Sequence, residues 1–148
     1  MSKIITTHLT INAPTQRVWQ TLTDLDAHSA WNPFLTQAAG TLVVGQRLNL
    51  QMQPPEGRAM TVKPWVTAVE EHRYLEWLSR LGMGMPGLFD GRHSFSLTSL
   101  PGGRTLLQQS ATFTGVLVPV AGSMLARTRA GFEAMNEALA QRSARLHN

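Results

Sequence analysis

The chain has 148 residues, 43% of them hydrophobic and 15% charged, and no cysteine. That length suits one domain whose core needs no covalent staple, and the lack of cysteine excludes disulfides, thiolate metal sites and a cysteine nucleophile. The formal net charge of +4 comes from eleven arginines and two lysines scattered singly, which reads as a basic solvated surface and not a nucleic-acid stripe.

No apolar run approaches the ~18 residues of a membrane span. The opening Met1-Ser2-Lys3-Ile4-Ile5-Thr6 has no apolar block of the signal-peptide kind, so the expectation is a cytoplasmic protein of bacterial type. Residues 4–11 predict a strand. Asn12-Ala13-Pro14-Thr15 then starts a helix, since proline lacks an amide hydrogen that the first turn leaves unpaired anyway. Val18, Trp19, Leu22 and Leu25 follow at helical spacing. A second short helix over 25–30 ends before Trp31-Asn32-Pro33-Phe34, where the proline pushes Asn32 out of the α region.

Strands are predicted next over 34–40, 46–53, 60–71, 74–80, 91–100 and 104–114. Their separators, among them Pro54-Pro55-Glu56-Gly57 and Pro101-Gly102-Gly103, are short turn formers, which suits an antiparallel meander. From 116 to 146 the period changes, with Leu125, Thr128, Phe132, Met135 and Leu139 recurring at three and four. This predicts one helix of about 28 residues, roughly 40 Å long, with Pro119 tolerated in its first turn. The order implies an α+β fold. A curved seven-stranded antiparallel sheet wraps a long C-terminal helix, two short helices follow the first strand, and one domain spans 1–148.

Most chemical motifs are missing. Gly82-Met83-Gly84-Met85-Pro86-Gly87 has the spacing of a dinucleotide fingerprint, but a strand follows it. That motif needs a helix N-terminus to receive the pyrophosphate, so this segment reads as a flexible loop. There is no Gly-x-Ser-x-Gly, no His-Glu-x-x-His and no phosphate loop. Nothing makes Asp24, Asp26, Glu70 and Glu71 converge as paired carboxylates. His93 is the weak catalytic candidate. It alternates with Arg92 and Ser94 in phase with Phe95 and Leu97, which turns it inward, and the same parity turns Leu107, Gln109, Ala111 and Phe113 inward. His93 and Gln109 then satisfy each other or orient a ligand, and on that reading a leucine at 93 costs little stability. Seven Met and four Trp fit an adaptable apolar cavity as well as an ordinary core.

Several segments together resemble one family. They are Ala13-Pro14 with Val18-Trp19 and Leu22-Thr23-Asp24, then Trp31-Asn32-Pro33-Phe34, then Pro86-Gly87-Leu88-Phe89-Asp90-Gly91 with His93 and Phe95. Gly103 with Thr105, Phe113 with Gly115, and the run from Gly131 through Phe132, Met135 and Asn136 to Leu139 complete the set. The chain resembles the SRPBCC superfamily, the START-like or birch-pollen-allergen-like helix-grip fold, in its bacterial polyketide cyclase/dehydrase-like branch. The resemblance implies an apolar cavity between sheet and C-terminal helix, with no metal and no diffusible redox cofactor. It implies ligands such as lipids, sterols, polyketides or hormones, and in some members aromatase or cyclase activity. Acidic residues common in the family where Arg92 and Ala111 stand are missing, which weakens an enzymatic role more than a binding one.

The expected function is therefore binding of a small apolar or partly aromatic, lipid- or polyketide-like molecule. Trp65, Trp77, Phe95, Phe113, Phe132 and Met135 are expected as walls, and His93, Gln109 and Asn136 as polar contacts. A gate is expected between Gly82, Met83, Gly84 and Met85 on one side and Trp31 and Phe34 on the other. The alternatives are an aromatase/cyclase- or dehydratase-like enzyme with His93 as acid–base group, or a chaperone-activator-like interaction module marked by an exposed apolar patch. Expected partners are a small hydrophobic molecule and, at most, a second copy in a homodimer; no cofactor, nucleic acid or integral membrane segment is expected.

Overall fold

In the computed structural model, which describes residues 2–147, strand β1 (Ser2–Ile11) alternates sides until Pro14 turns the chain into helix α1 (Thr15–Thr23). A 3-10 turn (Leu25–Ala27) leads into the single-turn α2 (His28–Trp31). Then come β2 (Leu35–Ala39), β3 (Asn49–Met52), β4 (Met60–Val62), β5 (Trp65–Glu70), β6 (Tyr74–Arg80), β7 (Asp90–Leu100) and β8 (Arg104–Thr114). A second 3-10 turn (Val118–Val120) precedes α3 (Gly122–His147), which packs on β1 and α1.

The α+β helix-grip arrangement is the one the sequence predicts, but the strand count differs. The eight strands form a five-stranded sheet, ordered β1-β8-β7-β6-β5, and a three-stranded sheet, β2-β3-β4. The stretch 60–71, expected as one strand, is two. β4 pairs with β3 and β5 with β6, and Lys63-Pro64 lies between them. Proline has no amide hydrogen for a ladder, so the chain leaves one sheet and enters the other there. The sheets meet through the Arg47–Trp65 bridge and bonds from Leu48 N to Pro64 O and Val66 N to Gln46 O. The C-terminal helix is also shorter than expected, because Pro119 falls in the separate 3-10 turn ahead of Gly122.

The inward faces follow the expected parity. His93, Phe95 and Leu97 of β7 and Leu107, Gln109, Ala111 and Phe113 of β8 are all buried. Arg92 points outward and ion-pairs with Glu76 at 2.7 Å. From α3 come Thr128, Phe132, Met135, Asn136, Leu139 and Ser143, the buried row of a helix lying across a sheet. Each large apolar side chain buried here contributes roughly 1.5–3 kcal/mol.

Candidate functional site

Between the five-stranded sheet, the three-stranded sheet and α3 lies a cavity of about 30 Å³, room for a water molecule or two. Trp77 and Ser79 of β6, Gly91 and His93 of β7, and Ala111 and Phe113 of β8 form one side. Leu35, Leu50 and Met52 of the smaller sheet form another, Thr128 and Phe132 of α3 the third, and Leu81 stands at the rim. None of these residues carries a carboxylate or a fixed positive charge.

The His93 ring lies between two phenyl rings, Phe95 at 4.7 Å and Phe132 at 4.6 Å, both tilted by only 26°. Trp77 meets it edge-on at 5.0 Å. Burial among these rings penalises the imidazolium and holds the pKa down to about 4, against a smaller upward pull from Gln109. The imidazole is therefore neutral at physiological pH.

A one-way hydrogen-bond chain fixes its tautomer. His93 Nε2–H donates to Gln109 Oε1 at 2.8 Å, and Gln109 Nε2 donates to Asn136 Oδ1 at 2.7 Å. Asn136 Nδ2 donates to Thr7 Oγ1 at 2.8 Å, and the Thr7 hydroxyl donates to the Gln109 carbonyl at 3.1 Å. The chain ties β7, β8, α3 and β1 together through four buried side chains. It leaves His93 Nδ1 as the ring's acceptor, with no donor to it among the described residues. It also corrects the expectation for leucine at 93, because that change strands Gln109 Oε1, a buried acceptor.

A second buried histidine is structural. His28 Nε2 donates to the Leu22 carbonyl at 2.7 Å, and Asn32 Nδ2 donates to His28 Nδ1 at 3.0 Å. Burial lowers the His28 pKa, while the Leu22 carbonyl and Asp24 pull it up. Asn32 Oδ1 then accepts from the amides of Phe34 and Leu35, both at 2.9 Å. The Trp31-Asn32-Pro33-Phe34 motif is thus a clamp that aims Phe34 and Leu35 inward, and Phe34 packs edge-on against Phe132 at 5.6 Å.

Of the nine expected binding residues, Trp77, His93, Phe113 and Phe132 line the cavity. Gln109 and Asn136 hold His93 from behind, and Phe95 and Met135 are buried core. Trp65 is elsewhere. It sits half-buried on edge strand β5, its ring covered by the Arg47 guanidinium at 4.0 Å.

The six gate residues are not brought together. Met83 and Met85 point into solvent, Gly82 is buried against Leu88, and Gly84 is exposed. Trp31 lines a groove with Arg17, Asp24 and Arg142, whereas Met83 and Gly84 line another with Arg47 and Lys63. Phe34 is buried core. Sequence reasoning missed Thr7, whose signal is a polar residue in the inward phase of β1, and the walls Leu35 and Leu50, which the smaller sheet supplies.

Among the described residues no helix is long and apolar enough to cross a membrane, and no three His, Asp or Glu side chains converge as a metal site. Residues 3–144 match the family model described as polyketide cyclase / dehydrase and lipid transport. No curated protein matches the chain. Among solved structures, the Zhui aromatase/cyclase of a Streptomyces species superposes with a TM-score of 0.79 at 15% identity, over 98% of this chain and 95% of that one. A norcoclaurine synthase point mutant from Thalictrum flavum, in complex with a transition state analogue, gives 0.75 at 16% identity, over 100% and 98%. A START superfamily protein from Mycobacterium smegmatis gives 0.72 at 20% identity, over 97% and 98%. Those likenesses establish the fold, and the family match runs along nearly the whole sequence. The chain belongs to the polyketide cyclase/dehydrase and lipid transport family.

Proposed function

We propose that the chain binds a small apolar or partly aromatic molecule that carries a hydroxyl or phenol group, seated between the sheet and α3 with that group donating to His93. One observation carries the reading. A neutral imidazole, its Nε2–H committed to Gln109 and its other nitrogen without a donor among the described residues, stands in the wall of a mostly apolar cavity. An acceptor in such surroundings favours a ligand donor more than the same nitrogen does in water.

The cavity of about 30 Å³ is far below the ~300–1,000 Å³ of common ligand pockets, so uptake displaces wall side chains. Met52 and Leu81, both half-buried, are the ones with room to move, and methionine is unbranched and deformable. Binding is favoured over acid–base turnover because His93 alone titrates among the lining residues. A base with a pKa near 4 is a poor proton acceptor at neutral pH.

Titration with naphthol and with its methyl ether, followed by tryptophan fluorescence through Trp77, tests this. Naphthol should bind about tenfold tighter, the worth of one buried hydrogen bond of about 1.4 kcal/mol, and His93→Leu should close the gap. If neither compound perturbs the fluorescence, or if the gap persists in His93→Leu, the reading fails.

A further inference from the structure

The cavity rim borders an end of the molecule that leaves large apolar side chains in water. Met83 is 85% exposed and Val120 81%, and Met85, Val116 and Leu117 are exposed as well. They stand on two segments tied side by side. Val116 N and Leu117 N donate to the Gly87 and Leu88 carbonyls at 3.2 and 3.0 Å. Gly115 permits the close approach, since a Cβ there would meet the Leu88 carbonyl. Met60 shares a surface groove with Met83 and Leu81, and Leu81 also lines the inner cavity. Leu81 therefore joins the groove under Met83 to the cavity rim.

The charge around it is mostly positive. Residues 53–63, 79–90 and 115–127 together with Arg47 carry five cations, Arg47, Arg58, Lys63, Arg80 and Arg127, and two carboxylates, Glu56 and Asp90. Arg80 neutralises the buried Asp90 at 2.8 Å, so four cations remain against one carboxylate. Arg47 and Lys63 line the same groove as Met60 and Met83, and the Arg127 side chain lies beside Gly57 in the β3–β4 turn.

We propose that this end docks on an anionic lipid surface, with Met83, Met85, Val116 and Val120 entering the headgroup–acyl boundary and the cations facing lipid headgroups. Apolar insertion and a basic collar are the two signals that together give stable yet reversible membrane attachment. Protruding loop tips suit a deformable bilayer, whereas a protein partner needs a surface that packs at interior density. The inference does not rest on the ligand reading, although a docked molecule would hold its cavity rim against an apolar phase.

The test is co-sedimentation of the full chain with vesicles of phosphatidylcholine mixed with phosphatidylglycerol, and with phosphatidylcholine alone. The wild type should sediment with the mixed vesicles, less with the neutral ones, and less as salt rises. Met83→Ser combined with Val120→Ser should weaken binding about tenfold or more, and Met85→Ser with Val116→Ser likewise. Arg58→Gln and Lys63→Gln should each cost roughly fivefold and flatten the salt dependence. All these side chains are solvent-facing, so thermal melts should match wild type. The proposal is overturned if wild type stays in the supernatant with both vesicle types, or if the apolar variants sediment like wild type. It is also overturned if wild type elutes as a dimer that the apolar variants split, which assigns the patch to a second copy.

Discussion

Acidification should weaken the wild type more than a His93→Gln variant, by an amount the burial of one ring sets. In the unfolded chain His93 takes a proton near its ordinary 6.5; in the folded protein it resists until about 4. Between those values the unfolded state binds more protons, so stability falls as pH falls through that window and levels off below it. The shift corresponds to about 3 kcal/mol in all, of which roughly 2 kcal/mol is lost between about pH 7 and about pH 5.

His28, also held low by burial, has the same sign, so the wild-type profile alone mixes two histidines. The difference between wild type and His93→Gln removes His28, and a glutamine amide can still donate to Gln109 Oε1. Urea unfolding at stepped pH, read by tryptophan fluorescence, gives both curves. The gap between them should narrow toward acid by about 2 kcal/mol over that range. A gap constant within about 0.5 kcal/mol would mean that His93 titrates as a solvated ring, and the derivation of a neutral acceptor would collapse.

Three further outcomes are expected. Thr7→Val and Asn136→Leu should each cost about 1–3 kcal/mol in denaturant melts, since each strands a buried partner, and the double variant should cost less than their sum because they share one chain of bonds. Phe132→Trp should reduce naphthol affinity tenfold or more in the fluorescence titration, because a cavity of about 30 Å³ has no space for added bulk. In the β6–β7 loop, Gly82→Ala should destabilise by about 1–3 kcal/mol, since its Cβ would stand 2.6 Å from Leu88 Cβ. Gly84→Ala meets nothing but a φ of 75°, and thermal melts should show the smaller loss, about 1 kcal/mol.

What the sequence made legible was whatever a single period controls. One face of β7 and of β8 is buried, so a period of two assigns His93 and Gln109 to the inside without any knowledge of neighbours. The long helix betrays itself in the same way, through Phe132, Met135 and Leu139. Residues 60–71 were misread because both halves are strand-like and one proline, Pro64, was the only mark of the change of sheet. Trp65 was misplaced for a different reason. An aromatic ring in a strand reads as core, but on the edge strand β5 an arginine covers it instead. The walls contributed by Leu35 and Leu50 depend on how one sheet is set against another, which no local pattern encodes.

That setting also decides where a ligand would pass. Of the three walls of the cavity, the β6–β7–β8 ladder is continuously hydrogen-bonded. The α3 wall is pinned at Asn136 by Gln109 and Thr7. The smaller sheet is joined to the larger by backbone bonds at Gly45, Leu48 and Val66, and its Leu35, Leu50 and Met52 reach the cavity through side-chain packing. Packing of this kind yields by rotamer change, whereas parting the ladder or stranding the Gln109–Asn136–Thr7 chain leaves buried polar groups unpaired at about 1–3 kcal/mol each. The least costly opening is therefore between Met52 and Leu81, the side where the rim meets Met60 and Met83. If the proposed binding holds, widening that rim by Leu81→Ala should speed naphthol uptake in stopped-flow fluorescence and leave the preference over its methyl ether intact, because on that reading His93 sets the preference and the rim sets the rate. An unchanged association rate would move the entrance to another wall.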